Sequence, residues 1–200
     1  EGVGKSTLIS GLSRALQKQG LEVIQTREPG GSVGAEAIRE LLLHPPQNED
    51  WSELTQSLLF FAARRDHLEK TILPALANGI WVLCDRFSDS TRAYQVANGS
   101  GVSDQIEVLD EMVVGEAQPD LTLVLQMHPE TALKRRKQRG GGDDAFERKD
   151  MDFHGSVHKA FDAIARVNPD RCVIVNADQP PEAVLDDAMN FINTRFCING

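Results

Sequence analysis

The chain has 200 residues, 40% hydrophobic and 26% charged, with a net charge of -9, which fits one large globular domain able to bury a full core. The acidic balance argues against a broad nucleic-acid or membrane surface, and no apolar run approaches membrane-spanning length. Cys84, Cys172 and Cys197 are odd in number and widely spaced, which argues against a disulfide framework or a zinc site and points to a reducing cytoplasm.

Glu1-Gly2-Val3-Gly4-Lys5-Ser6-Thr7 matches the second half of the pattern G-x-x-x-x-G-K-[ST]. The first Gly of that pattern, and the strand that feeds it, would lie before Glu1, so a further N-terminal segment is expected. Glycines let successive N–H groups turn inward toward phosphate oxygens. Lys5 would reach the outer phosphates and the Ser6 hydroxyl would ligate Mg²⁺. Ser6–Gln19 reads as a helix, with Leu8, Leu12 and Leu16 on one face and Gly20 as its stop. Its N-terminal dipole favours an anion. The plainer reading of the same segment is a Gly-rich helix cap.

Leu21–Thr26 reads as a strand running into the turn Glu28-Pro29-Gly30-Gly31, and Ala35–Leu43 as a short helix. Trp51 to about Ala77 is one long helical pattern that Pro74 should bend. On it Phe60 and Arg64 are four apart and share a face. That suits a nucleobase clamp, and equally a core Phe beside a solvated Arg. Ile80–Cys84 is continuously apolar, as in a strand buried on both faces. Asp85 and Arg86 follow it. An acid at the end of such a strand is placed to hold Mg²⁺, and the Arg86 fork suits a phosphate; a surface ion pair is the alternative.

Ser103–Val114 reads as a helix, Leu121–Gln126 as a strand and Pro129–Arg139 as a helix. The run Lys134-Arg135-Arg136-Lys137-Gln138-Arg139 holds five cations before Gly140, Gly141 and Gly142. It is either a solvated helix face or a mobile lid that delivers cations to a phosphoryl group. Met151–Asn168 is helical, Cys172–Asn176 a strand and Pro181–Thr194 the last helix.

Strand–helix alternation predicts an α/β fold with a parallel sheet and helices on both faces. Four strands are visible, and a fifth, before Glu1, would complete a five-stranded sheet from its middle. Ligands bind at the carboxyl ends of such strands, where Thr26-Arg27-Glu28, Asp85-Arg86 and Asn176-Ala177-Asp178 fall.

Taken together, these segments resemble bacterial thymidylate kinase, a P-loop nucleoside monophosphate kinase. The likeness rests on Gly2-Val3-Gly4-Lys5-Ser6-Thr7, Thr26-Arg27-Glu28-Pro29-Gly30-Gly31 and Leu58-Leu59-Phe60 with Arg64. Asp85-Arg86-Phe87 running on to Tyr94-Gln95, Pro119-Asp120-Leu121-Thr122-Leu123 and the basic run complete it, in family order along nearly the whole chain. The resemblance implies a single P-loop kinase domain over residues 1–200 with a lid at about 136–150, and ATP-dependent, Mg²⁺-dependent phosphorylation of dTMP to dTDP. It implies that Phe60 stacks on thymine, that Arg64 bonds its O4, and that Thr91 and Gln95 read its N3 edge. Tyr94 would lie under the sugar, Glu1 near the 3′-OH, Glu28 in the pocket turn and Arg86 on the dTMP phosphate. Gly2, Val3, Gly4, Lys5, Ser6 and Thr7 would bind ATP, with Ser6 and Asp85 on the metal. Lys5, Arg86, Arg136 and Arg139 would be catalytic. Val3 stands where the other family type has a loop Arg, which implies that the catalytic Arg lies in the lid. A cytoplasmic homodimer is implied, through helix faces that include Ile106, Leu109, Met112 and Val113; the plainer reading of these four is intradomain core.

A nucleotide phosphate with a second pKa of about 6 is mostly ionised near neutral pH, so none of the five histidines is needed as a general base. Two rivals are a kinase for another small acceptor and a P-loop regulatory binding module; the Asn-Lys-x-Asp motif of switch GTPases is absent.

Overall fold

The computed structural model describes residues 2–97, 103–138 and 151–198. Helix α1 spans Lys5–Lys18 and buries Leu8, Leu12 and Leu16 as expected. It starts one residue earlier than the pattern suggested, because Gly4 takes a left-handed turn (φ 95°) directly before it. Strand β1 is Val23–Arg27 and helix α2 is Val33–Leu43, which begins where the Ser32 hydroxyl accepts from the Ala35 amide. Ser52 caps α3 (Glu53–His67) in the same way.

The single long helix expected up to Ala77 is broken. A wider π-type turn occupies Leu68–Ile72, and α4 (Leu73–Ala77) follows. Pro74 has no N–H to offer the carbonyl of Lys70, and the wider turn just before it accommodates that loss. Strand β2 is Trp81–Asp85, α5 is Ser88–Ala97 and α6 is Ser103–Val113. Strand β3 is Thr122–Gln126, α7 Pro129–Gln138, α8 Met151–Val167, β4 Cys172–Asn176 and α9 Pro181–Phe196.

The strands pair in parallel, β1 with β2 (Val23 opposite Trp81, Arg27 opposite Asp85) and β3 with β4 (Thr122 opposite Cys172). The five-stranded sheet is not found: among the described residues there are two separate two-stranded sheets. Among the described residues no strand lies between the two sheets. For the same reason β2 is half-buried along its length rather than buried on both faces. A slot of about 630 Å³ runs between β2 and β3, lined by Trp81, Leu83, Leu121 and Leu123 and closed by Leu12 and Phe196.

Alternate side chains of β2 still face different helices. Trp81 and Leu83 pack with α1 and α9 around Leu12, Leu16, Ala188 and Ile192. Val82 packs with α3 and α6 around Phe61, Ile106 and Val113. Ile106 and Val113 are therefore core residues rather than a free face, and Leu109 packs beside them. Only Met112 of the four expected interface residues stands out, 69% exposed, with Val108 beside it at 67%.

Helix α5 was not anticipated from the sequence. It forms because Ala93 is buried against Val157 and Ala160 of α8, and because its start is tied down by charge. Asp89 accepts from Arg171 Nη1 and Nη2 at 2.6 and 2.8 Å. Arg92 reaches Asp110 of α6 at 2.7 Å.

Candidate active site

The phosphate-loop residues lead into one end of the slot. Val3 and Lys5 line it together with Asp85 and Arg86. Ser6 and Thr7 are exposed on the first turn of α1. Asp85 closes β2, where its backbone carbonyl accepts from Glu28 N at 2.9 Å. Its Oδ1 is buried and meets no hydrogen-bond donor. Arg86 then turns the chain into α5 with φ 71°, a left-handed conformation that costs a side-chain-bearing residue energy. The Cys84 thiol braces that corner by donating to the Arg86 carbonyl at 3.1 Å. Burial, assisted by the nearby Glu28 charge, pushes the Cys84 pKa well up, so the thiol keeps its proton. The Arg86 guanidinium lies 5.1 Å from the Tyr94 ring centre and donates to Tyr94 Oη at 3.1 Å.

A second cluster is almost entirely buried. Arg64 is 2% and Glu28 5% exposed. Arg64 Nε donates to Glu28 Oε2 at 2.8 Å, and Arg64 Nη2 donates to Thr91 Oγ1 at 3.1 Å. Glu28 Oε1 and His67 Nδ1 are 3.1 Å apart, and His67 Nε2 lies 2.6 Å from Thr26 Oγ1. Arg64 is thus not the solvated surface residue that the plainer reading allowed. The Phe61 and Phe87 rings lie 4.8 and 5.1 Å from its guanidinium. Phe60 is half-buried. Arg64 Nη1 is buried without an acceptor among the described residues. Gln95 is buried nearby, its Nε2 3.4 Å from Gln56 Oε1.

The turn after β1 is held from several sides. Gly31 N donates to Glu36 Oε1 at 2.9 Å, and Arg27 Nη2 donates to Glu36 Oε2 at 3.0 Å. The Gly31 amide, then Arg27, hold the Glu36 pKa below the usual carboxylate value. Arg39 Nη1 donates to the Pro29 carbonyl and Thr71 Oγ1 to the Gly31 carbonyl, both at 2.7 Å. Sequence reasoning missed His67 and Thr71. The signal was their spacing from Arg64, three and seven residues along one helix face.

Other expected residues stand apart. Asn176 and Asp178 engage locally: Asn176 Oδ1 accepts from Asp178 N, and Asp178 Oδ2 from the His128 amide. Arg136 lies on α7. Glu1, Arg139 and most of the expected lid lie outside the described residues.

Residues 1–188 match the family model for thymidylate kinase. The chain belongs to the thymidylate kinase family. Among its relatives, the thymidylate kinase of Caulobacter vibrioides is 51% identical over 92% of this chain and 88% of its own length. That of Magnetococcus marinus is 42% identical over 100% and 94%. The crystal structure of thymidylate kinase from Ehrlichia chaffeensis superposes with a TM-score of 0.75 at 30% identity, covering 96% of this chain and 93% of that one. The thymidylate kinase relatives are phosphotransferases. Family membership therefore favours the kinase reading of the loop over both a helix cap and a regulatory module.

Proposed function

We infer that this protein transfers the terminal phosphoryl group of ATP to the phosphate of dTMP, giving dTDP and ADP. The family match over residues 1–188 carries this reading. A dTMP phosphate oxygen forms the new bond to the γ-phosphorus, the bond to the β-phosphate oxygen breaks, and ADP leaves. Catalysis is positioning plus charge neutralisation. Lys5 would meet the ATP phosphates over the loop Gly2–Thr7, and Arg86 the phosphate of dTMP. Arg136 and Arg139 would be lid cations.

The buried, unpartnered Nη1 of Arg64 supports a base-reading role, since a buried donor calls for an acceptor. Thymine O4 is such an acceptor. Phe60 would stack on the ring, Thr91 and Gln95 would read the N3 edge, Glu28 would hold Arg64, and Glu1 would lie near the 3′-OH. Tyr94, already beside Arg86, would sit under the sugar. The orphaned Asp85 Oδ1 suits a hard cation, so Asp85 and the Ser6 hydroxyl fit as holders of Mg²⁺. When bound, Mg²⁺ would neutralise phosphate charge and help align ATP.

An apolar strand running into Gly2 would pair the facing edges of β2 and β3 and complete a five-stranded sheet. Exposed Val108 and Met112 on α6, with Leu54 and Leu58 on α3, support a homodimer through those helices, and the free cysteines suit a cytoplasmic setting. An assay of ADP release with ATP, Mg²⁺ and dTMP tests the reaction. Turnover should need all three and stop on chelation. ADP release that does not depend on dTMP would overturn the reading.

A further inference from the structure

The phosphoryl-transfer reading gives the histidines no role, yet His67 is fully buried at the centre of the Glu28–Arg64 cluster. We propose that His67 is a positioning residue whose Nδ1–H fixes the Glu28 carboxylate against Arg64, and so sets the guanidinium edge that meets the acceptor base. This rests on the base-contacting role inferred above for Arg64.

The geometry is as follows. Glu28 Oε2 accepts from Arg64 Nε, and Oε1 accepts from His67 Nδ1. A carboxylate held through one oxygen can still rotate; one held by separate donors on both oxygens cannot. A carboxylate oxygen accepts only, so Nδ1 carries a proton and donates to Glu28, while Nε2 pairs with the Thr26 hydroxyl. A Cβ placed on Gly31 would lie 2.3 Å from His67 Nε2 and 2.4 Å from Thr26 Oγ1, so only a glycine lets the turn pass this close to that edge. On Arg64, Nε is taken by Glu28 and Nη2 by Thr91, which leaves Nη1 as the edge for a ligand. Any rotation of Glu28 would swing that edge.

A merely structural histidine needs bulk and some polar partner. A positioning histidine needs a donor at Nδ1. Asparagine places an amide nitrogen at the Nδ1 position, whereas glutamine places one at the Nε2 position. In the full-length protein, calorimetry should show His67→Gln weakening dTMP binding about tenfold and His67→Asn by at most about threefold. ATP binding should stay within about twofold of wild type in both variants. Equal weakening by the two variants, unchanged dTMP affinity in His67→Gln, or parallel loss of ATP affinity would overturn the proposal, whatever happens to the melting temperature.

A second measurement uses the wild type alone, should His67→Gln fail to fold. On titration with dTMP, the His67 Nδ1–H and Arg64 Nε–H resonances should shift together. Movement of Arg64 with His67 stationary would overturn the proposal. If the wild type phosphorylates another nucleoside monophosphate and not dTMP, the dTMP reading fails, and the same comparison is made with that nucleotide.

Discussion

Arg86 combines a charged head for phosphate with a backbone conformation that glycine would adopt more readily. Its φ of 71° is imposed by the corner between β2 and α5. Arg86→Ala and Arg86→Gly should therefore share a loss of at least about a hundredfold in kcat/KM. They should differ in stability, with the Gly variant more stable than the Ala variant by about 1 kcal/mol, read from urea midpoints. Glu36 gives a pH prediction. Its folded pKa is lowered, so its contribution is complete above the unfolded value of about 4.3 and is lost as pH falls through the folded one. Glu36→Gln should flatten the fall of melting temperature between about pH 5 and pH 3; an unchanged slope would remove Glu36 from the turn. The position of Asp85-Arg86 at the end of β2 was legible because charge ends an apolar run. The partners of Arg64 were not. Spacing of four shows that Phe60 shares its face, but one ring lying over the guanidinium, Phe87, comes from beyond β2.

The turn Glu28-Pro29-Gly30-Gly31 is the element on which both halves of the candidate site hang. Its backbone presses on His67 and Thr26 at Gly31, where φ is 86°. Gly31→Ala should cost roughly 2–4 kcal/mol, from the left-handed conformation and the displaced ring together, and should impair acceptor binding as well. Thermal melting and dTMP calorimetry on the same variant check both. Ion pairs tie the start of α5, so Arg92→Ala, which leaves the nearly buried Asp110 without its cation, should destabilise by about 1–3 kcal/mol. Helices with a clear 3.6-residue period, α1, α8 and α9, were legible within a residue or two. The interruption at Leu68–Ile72 was read only as a bend at Pro74, because a π-type turn leaves no compositional mark.

Across the whole molecule, each of the four strands was visible as a short apolar run, but their partners were not. Pairing is a long-range property: the strands join as two separate parallel pairs, with β2 and β3 both lining an apolar slot. The expected dimer face shows the same limit: of the residues the resemblance put there, Ile106 and Val113 pack in the fold's own core. The central claim is that a rigid, buried Arg64 donor selects a base with an acceptor at its 4-position. It is tested most directly by comparing kcat/KM for dTMP with that for dCMP, which presents an amino donor there instead. Because a buried donor facing a donor is left unpaired, dTMP should be preferred by at least about a hundredfold in the wild type. In Arg64→Met the ratio should fall by at least about tenfold, the remaining preference coming from the N3 edge. A wild-type enzyme that turns over dCMP within about tenfold of dTMP would contradict it.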